Sequence, residues 1–257
     1  HPVLQRFSGT LRSALAGIND YRAYTPSSTN CLVPLEIIYR NGLPEGSSIF
    51  KRLEQGTVSI QQLGLDHYPK PGEKLAKPVF DVSTKLEDKD RYLTWDEARE
   101  IAGLTTDDVE DAKVLLLQVD KLITQVAFKA DLENEDGKIE LAFNPERRLM
   151  IVDVVGTLDE CRFTYNGLHV SKEIARQFYR KTGWYAAVEE AKKMAEEKGV
   201  SDWKSLCGSQ PPRLDPRLKR IISEMYMATA NELTEHRFFV VPSLAEVVND
   251  YKAETHK

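Results

Sequence analysis

The sequence predicts an α+β fold, and three observations carry that expectation. Strand-like and helix-like segments are mixed without the regular alternation of a parallel α/β sheet. Two β-rich runs in the middle of the chain are joined by a short turn, the pattern of an antiparallel hairpin. Several helical runs open on explicit capping signals.

Leu32 to Arg40 (LVPLEIIYR) is apolar and β-rich and predicts a buried strand. Asn41 to Ser48 (NGLPEGSS) is rich in turn residues and predicts a loop. Tyr68 to Pro78 carries Pro69, Pro71 and Pro78 and is expected to be extended and irregular. Thr94-Trp95-Asp96-Glu97 is a capping box that opens a short helix. Asp107 to about Lys129 predicts a long helix, with Val109, Ala112, Leu116, Val119 and Ile123 at helical spacing on its core side. Lys138 to Phe143 and Leu149 to Val155 predict two strands joined by Asn144-Pro145-Glu146-Arg147. Ser171 is placed to cap a helix to about Lys181, and a further helical run over 183–198 stops at Gly199. Asp215-Pro216 combines a cap with proline at the first helical position and opens a helix to about Glu235. Ser243-Leu244-Ala245-Glu246 is a second capping box, for a C-terminal helix.

The chain has 257 residues, room for one large domain or two modest ones. Its net charge of −5 gives no field for non-specific binding to nucleic acid or an anionic membrane, so neither is expected as a partner. A bound phosphate must be gripped by a few placed cations. No apolar run approaches the roughly 20 residues of a membrane span. Cys31, Cys161 and Cys207 are few, odd in number and widely spaced, which fits a reducing, cytoplasmic setting. The sequence opens on His1 without an initiator Met or signal-peptide pattern, so it is expected to start inside a longer polypeptide. Its patterns do not decide between a monomer and a homo-oligomer.

The central hairpin carries the most chemistry. A strand has period two, so Asp136, Lys138 and Glu140 can share one face if the strand begins as early as Asp136, while Ile139 and Leu141 point the other way. The partner strand runs through Leu149-Met150-Ile151-Val152 into Asp153, and Asp159 and Arg162 follow in the next loop. Acidic groups and a lysine converging on one surface require counter-charges or a hard cation such as magnesium, which takes oxygen ligands. A solvated face with surface ion pairs is the plain alternative, weakened by Asp153 because a carboxylate ending an apolar strand is costly unless paired. A second constellation runs Arg40-Asn41, Gly46-Ser47, Lys51-Arg52. Glycine lets backbone approach a ligand, the hydroxyl and amides are phosphate donors, and arginine grips phosphate through two parallel bonds. Here an ordinary loop with a serine cap is the simpler reading, since the spacing is neither a Walker loop nor GxGxxG. The five histidines are scattered, with no His/Cys cluster of zinc type.

Taken in order, these segments resemble the SAICAR synthetase family. Val33 to Asn41 resembles the family's PLEVVVRN strand, and Gly46-Ser47 with Lys51-Arg52-Leu53 its GS…KRL. Asp136-Gly137-Lys138-Ile139-Glu140 resembles DFKLE. Asp153 with Asp159-Glu160-Cys161-Arg162-Phe163 resembles DEISPDSCRF, and Ser171 to Arg176 the start of its LDKDxxR helix.

The resemblance implies an ATP cleft between a small N-terminal β-domain, of which residues 1–31 would be a remnant, and a larger α/β domain over 32–257. It implies ATP and Mg2+ as cofactors. The implied reaction is ligation of L-aspartate to carboxyaminoimidazole ribonucleotide (CAIR) in purine biosynthesis, giving SAICAR, ADP and phosphate through an acyl phosphate. Arg40, Ser47, Arg162 and Arg176 would hold the nucleotide substrate, largely at its 5′-phosphate, and are expected to converge. Glu140 and Asp153 would be the magnesium and ATP-site carboxylates. Lys138 would face the reacting groups, and Asp136 and Asp159 would orient substrate or bound metal.

Departures stand beside the likeness. The family's N-terminal GKxK loop has no counterpart in the sequence. The Arg40–Ser47 and Asp153–Asp159 spacings are each one residue longer than the family's, and Val154 replaces its acidic neighbour. Lys85 to Arg91 stands in place of an HDP-type loop. Two other readings stay open: a related ATP-dependent amide ligase acting on another carboxylated nucleotide or amine, and a non-catalytic nucleotide-binding paralogue.

Overall fold

The structure is a computed structural model that describes residues 20–87, 90–200 and 202–255. Most of the expected N-terminal remnant, and Asp88 and Lys89 of the substituted loop, therefore lie outside the described residues. The chain divides into two compact units. The first runs to Ile123 and resumes over Asn134–Cys161; the second comprises Thr124–Glu133 and Arg162–Lys257. The boundary expected between residues 31 and 32 falls at the start of the first strand, inside the first unit.

The first unit is built on antiparallel strands in the order β2-β1-β3-β4, with β1 at Cys31–Leu43, β2 at Glu73–Thr84, β3 at Leu132–Phe143 and β4 at Leu149–Val152. Period-two alternation gives the sheet two unlike faces. One carries Leu35, Ile37, Tyr39, Ile139 and Leu141, all fully buried. Helix α3 (Thr106–Lys129) is fastened to that face, where Asp120 accepts from Asn41 Nδ2 at 2.7 Å and Asn134 Nδ2 at 3.3 Å. The stripe Val109, Ala112, Leu116, Val119 and Ile123 is buried as its spacing predicts. Helix α1 (Ser48–Glu54) follows β1, and α2 (Trp95–Ala102) opens on Thr94 with both halves of its capping box formed. Gly103 ends α2 at φ 60, where a Cβ would sit 2.5 Å from the Thr25 amide, so glycine is required for the close approach as well as for the turn.

Strand ends differ from expectation: β1 runs past Arg40 to Leu43, and β3 begins at Leu132, ahead of Lys138. β2 begins at Glu73 and runs through Pro78, where an irregular loop is expected. Its pairing with β1 jumps from Gly42↔Lys74 to Arg40↔Val79, so proline falls in the irregular stretch, where its missing N–H breaks no ladder bond. β4 stops at Val152, because Asp153 adopts a left-handed φ of 65 that leaves the strand.

The second unit holds a two-strand hairpin of β5 (Cys161–Tyr165, from Arg162 on) and β6 (Leu168–His169), followed by helices. α4 spans Glu173–Arg180 and α5 Gly183–Glu197, with Gly199 left-handed just beyond. α6 (Pro216–Thr234) opens under Asp215, whose carboxylate accepts from the Arg217 and Leu218 amides. α7 (Leu244–Thr255) opens on Ser243, bonded reciprocally with Glu246. α6 packs on α7, burying Ile221, Met225 and Ala228 of the one and Val247, Val248 and Tyr251 of the other. No helix among the described residues is long and apolar enough to cross a membrane.

Candidate functional site

The other face of the first unit's sheet is charged. Register places Glu36, Ile38 and Arg40 of β1 opposite Glu140, Lys138 and Asp136 of β3, and opposite Ser83, Asp81 and Val79 of β2. Asp136, Lys138 and Glu140 therefore share a face as period two requires. They are not a solvated surface: Arg40, Asp81, Asp136 and Glu140 are each 7% exposed or less. Burial on that scale requires partners.

Arg40 is held from several sides. Nη1 donates to Asp136 Oδ2 at 3.5 Å, while Nη2 lies 3.2 Å from Asp81 Oδ2, 3.3 Å from Ser48 Oγ and 3.5 Å from Tyr92 Oη. Burial disfavours its charge, but Asp136 and Asp81 outweigh it and hold the guanidinium firmly protonated. Its Nε is buried without a partner. Ser47 caps α1, its hydroxyl accepting from the Ile49 amide at 3.4 Å.

Lys138 donates to Glu36 Oε1, and its Nζ lies 3.4 Å from Glu160 Oε2. The Lys138 amide also donates to the Glu160 carbonyl at 3.2 Å, so Glu160 fixes both main chain and side chain. Burial works against the ammonium, yet the bond to Glu36 and the charges of Glu36 and Glu160 raise its pKa. Lys138 is thus a fixed cation and a poor base. Glu140 is paired with Lys85. Burial pushes its pKa above the usual carboxylate range; Lys85 opposes that shift and the nearby charge of Asp153 adds to it.

Asp153 departs from the basis on which it was singled out. It is exposed, just past the end of β4, so no desolvation cost demands a partner for it. Its link to the charged face is its field at Glu140. Asp159 is also exposed. Arg162 and Arg176 belong to the second unit. Arg176 lies half-exposed on α4, its Nη1 3.6 Å from the buried carboxylate of Glu173, which also pairs with Arg180. The structure thus brings Arg40, Asp136, Lys138 and Glu140 onto one sheet face, with Ser47 at the α1 cap.

The sequence patterns assign no role to Asp81, Tyr92, Glu36 and Glu160, and no individual one to Lys85 and Arg52. One signal was present: Val79-Phe80-Asp81-Val82 sets a carboxylate inside an apolar run. The thiol of Cys161, buried beside Tyr39 Oη at 3.4 Å, is pushed by burial to about 11 and is no nucleophile.

Glu140 and Asp153 fit a hard divalent cation in donor chemistry: both offer oxygen, and their mutual repulsion is relieved by positive charge. Among the described residues no group of three or more His, Cys, Asp or Glu side chains is arranged to hold a metal. A cation at this face would take two protein carboxylates at most and complete its shell elsewhere, the mode magnesium commonly adopts with nucleotide phosphates.

Known proteins share this chain's pattern. The family model for SAICAR synthetase matches residues 25–198. A relative from Archaeoglobus fulgidus, named provisionally as a phosphoribosylaminoimidazole-succinocarboxamide synthase, is 47% identical over 91% of this chain and 68% of its own length. The synthase of that name from Thermoplasma acidophilum is 35% identical over 83% of this chain and 71% of its own length. Among solved structures, the Saccharomyces cerevisiae SAICAR synthase complexed with SAICAR superposes with a TM-score of 0.57 at 19% identity, covering 81% of this chain and 62% of the yeast chain. At that identity the likeness speaks to the fold alone.

Proposed function

The chain belongs to the SAICAR synthetase family, and on that premise we propose that it ligates L-aspartate to CAIR at the expense of ATP, giving SAICAR, ADP and phosphate. The observation that carries the reading is the charged sheet face, where the family-like DGKIE segment of β3 meets Arg40 and Glu36 of β1. A CAIR carboxylate oxygen attacks the γ-phosphorus and the bond to ADP breaks. The aspartate amine then attacks the acyl carbon, the bond to phosphate breaks, and the amine loses a proton.

CAIR, aspartate and ATP are all anionic, so positioning and charge compensation are the main work. Lys138, held protonated, offsets negative charge on the reacting oxygens. Asp136 fixes Arg40 and, with Asp159, orients substrate. Glu140 and Asp153 are the residues that would hold Mg2+, which supplies charge neutralisation on the ATP phosphates. Ser47 at the α1 cap and the cluster around Arg40 serve the nucleotide substrate in the first unit; for Arg162 and Arg176, which belong to the second unit, the same role rests on the family resemblance alone. Cytoplasmic purine biosynthesis is the setting this activity implies.

The test is product formation by the full chain from CAIR and ATP with aspartate, against the same mixture with other amino acids. SAICAR formed only with aspartate is the expected result. Turnover with another amine and none with aspartate identifies a different ligase, and ATP binding without turnover with any amine identifies a non-catalytic paralogue.

A further inference from the structure

Arg52 of α1 is placed differently from Arg40. Its Nη1 donates to Asp81 Oδ2 at 2.5 Å, the same oxygen that Arg40 uses at 3.2 Å. Its guanidinium lies over the Tyr92 ring, 4.1 Å from the centroid. Its side chain is 12% exposed against 3% for Arg40. Nε and Nη2 engage no partner among the described residues. Neither is among the buried atoms lacking a partner, so both reach solvent.

One corner of this guanidinium is anchored, one plane is supported, and the edge formed by Nε–H and Nη2–H is open. That edge is the planar fork that binds a phosphate through two parallel hydrogen bonds. The carboxylate and the ring have already removed most of the side chain's freedom, which lowers the entropic cost of binding. Arg40 has the opposite character: its terminal nitrogens are committed to protein acceptors and it is sealed from solvent.

We propose that Arg52 contacts the phosphate of the nucleotide substrate directly, that Asp81 and Tyr92 are its positioning residues, and that Arg40 acts behind it by fixing Asp81. The identity of the nucleotide rests on the function proposed above; recognition of a phosphate monoester by the fork does not.

The experiment has two arms on the full chain. Calorimetry with ribose 5-phosphate tests the fork whether or not the ligase reading holds. Arg52→Ala is expected to weaken that binding roughly ten- to a hundred-fold, and Arg52→Lys by less, since lysine keeps charge but not the fork. Steady-state kinetics with CAIR and ATP varied in turn are the second arm. Arg52→Ala should raise KM for CAIR by a similar factor and leave KM for ATP within about twofold, while Tyr92→Leu and Asp81→Asn raise the same KM with kcat largely kept. Circular dichroism checks folding, and the part-exposed Arg52→Lys keeps the test open should Asp81→Asn fail to fold. Ribose 5-phosphate binding unchanged in a folded Arg52→Ala chain overturns the proposal, as does a defect confined to ATP. A wild-type chain that binds ribose 5-phosphate through Arg52 yet makes no SAICAR refutes the ligase reading and leaves the phosphate site standing.

Discussion

Glu140 is the residue at which burial, charge and the proposed metal meet. Its folded pKa lies above the ordinary 4.5, chiefly through burial and further through Asp153, with Lys85 opposing. A carboxylate raised in this way contributes stability that is fully present below about 4.5 and is lost as pH rises through the folded value. Its ionised form carries the cost of burial and of the Asp153 charge, which a cation would relieve. Magnesium should therefore raise the Tm of the wild-type chain near pH 7, and the increment should fade as pH falls through the raised pKa of Glu140, where protons compete for the same oxygens. Glu140→Gln and Asp153→Asn should each remove most of the increment while the fold is kept, and Asp153→Asn should lower ligase turnover strongly. Thermal melts with and without MgCl2 across that pH range check this. A full magnesium increment in both variants would remove these carboxylates from the metal's coordination.

At the scale of elements, β1 and β3 carry a paired exchange of size. Tyr39 and Gly137 are direct partners across the ladder. The family pattern has valine at the position of Tyr39 and phenylalanine at that of Gly137. Here the large side chain sits on the other strand: a Cβ on Gly137 would lie 2.3 Å from Tyr39 Oη and 2.8 Å from Cys161 Sγ. Tyr39 Oη in turn donates to Asn134 Oδ1 at 3.2 Å. Gly137→Ala should cost about 1–3 kcal/mol by overpacking. Tyr39→Val with Gly137→Phe should cost less than the two single changes together, because each makes room for the other. Urea unfolding of the four chains measures the coupling, and strict additivity would mean the pair does not share this space.

The same elements show what was legible beforehand. Thr94 with Glu97 and Ser243 with Glu246 are caps formed within a few residues, so local sequence states them fully. The α3 stripe is equally local. Asp81 is not: its partners Arg40 and Arg52 lie 41 and 29 positions away, and only the β1–β2 pairing and the placement of α1 bring them together. Asp153 misled in the opposite sense. The apolar run before it suggested a buried strand end, whereas a left-handed turn at Asp153 itself puts the carboxylate in solvent.

For the molecule as a whole, a chain of net charge −5 proposed to handle three anionic substrates has to concentrate cations locally. In the first unit it does so by embedding Arg40, Arg52, Lys85 and Lys138 among carboxylates that fix them in place. Arg162 and Arg176 belong to the second unit, and kinetics can assign the substrate each serves. If Arg162 serves CAIR, Arg162→Lys should raise KM for CAIR far more than for ATP, because lysine keeps the charge and loses the fork. The loss of a charge-assisted bond is about 1.5–3 kcal/mol, or roughly ten- to a hundred-fold in KM. Asp159→Asn, three positions earlier in the sequence, should give a smaller defect of the same kind if its task is orientation. Varying CAIR and ATP in turn separates the outcomes. A main defect in the ATP constant would assign Arg162 to the cofactor and withdraw the nucleotide role that the family resemblance gives it, while leaving the Arg52 fork of the first unit to be judged on its own binding data.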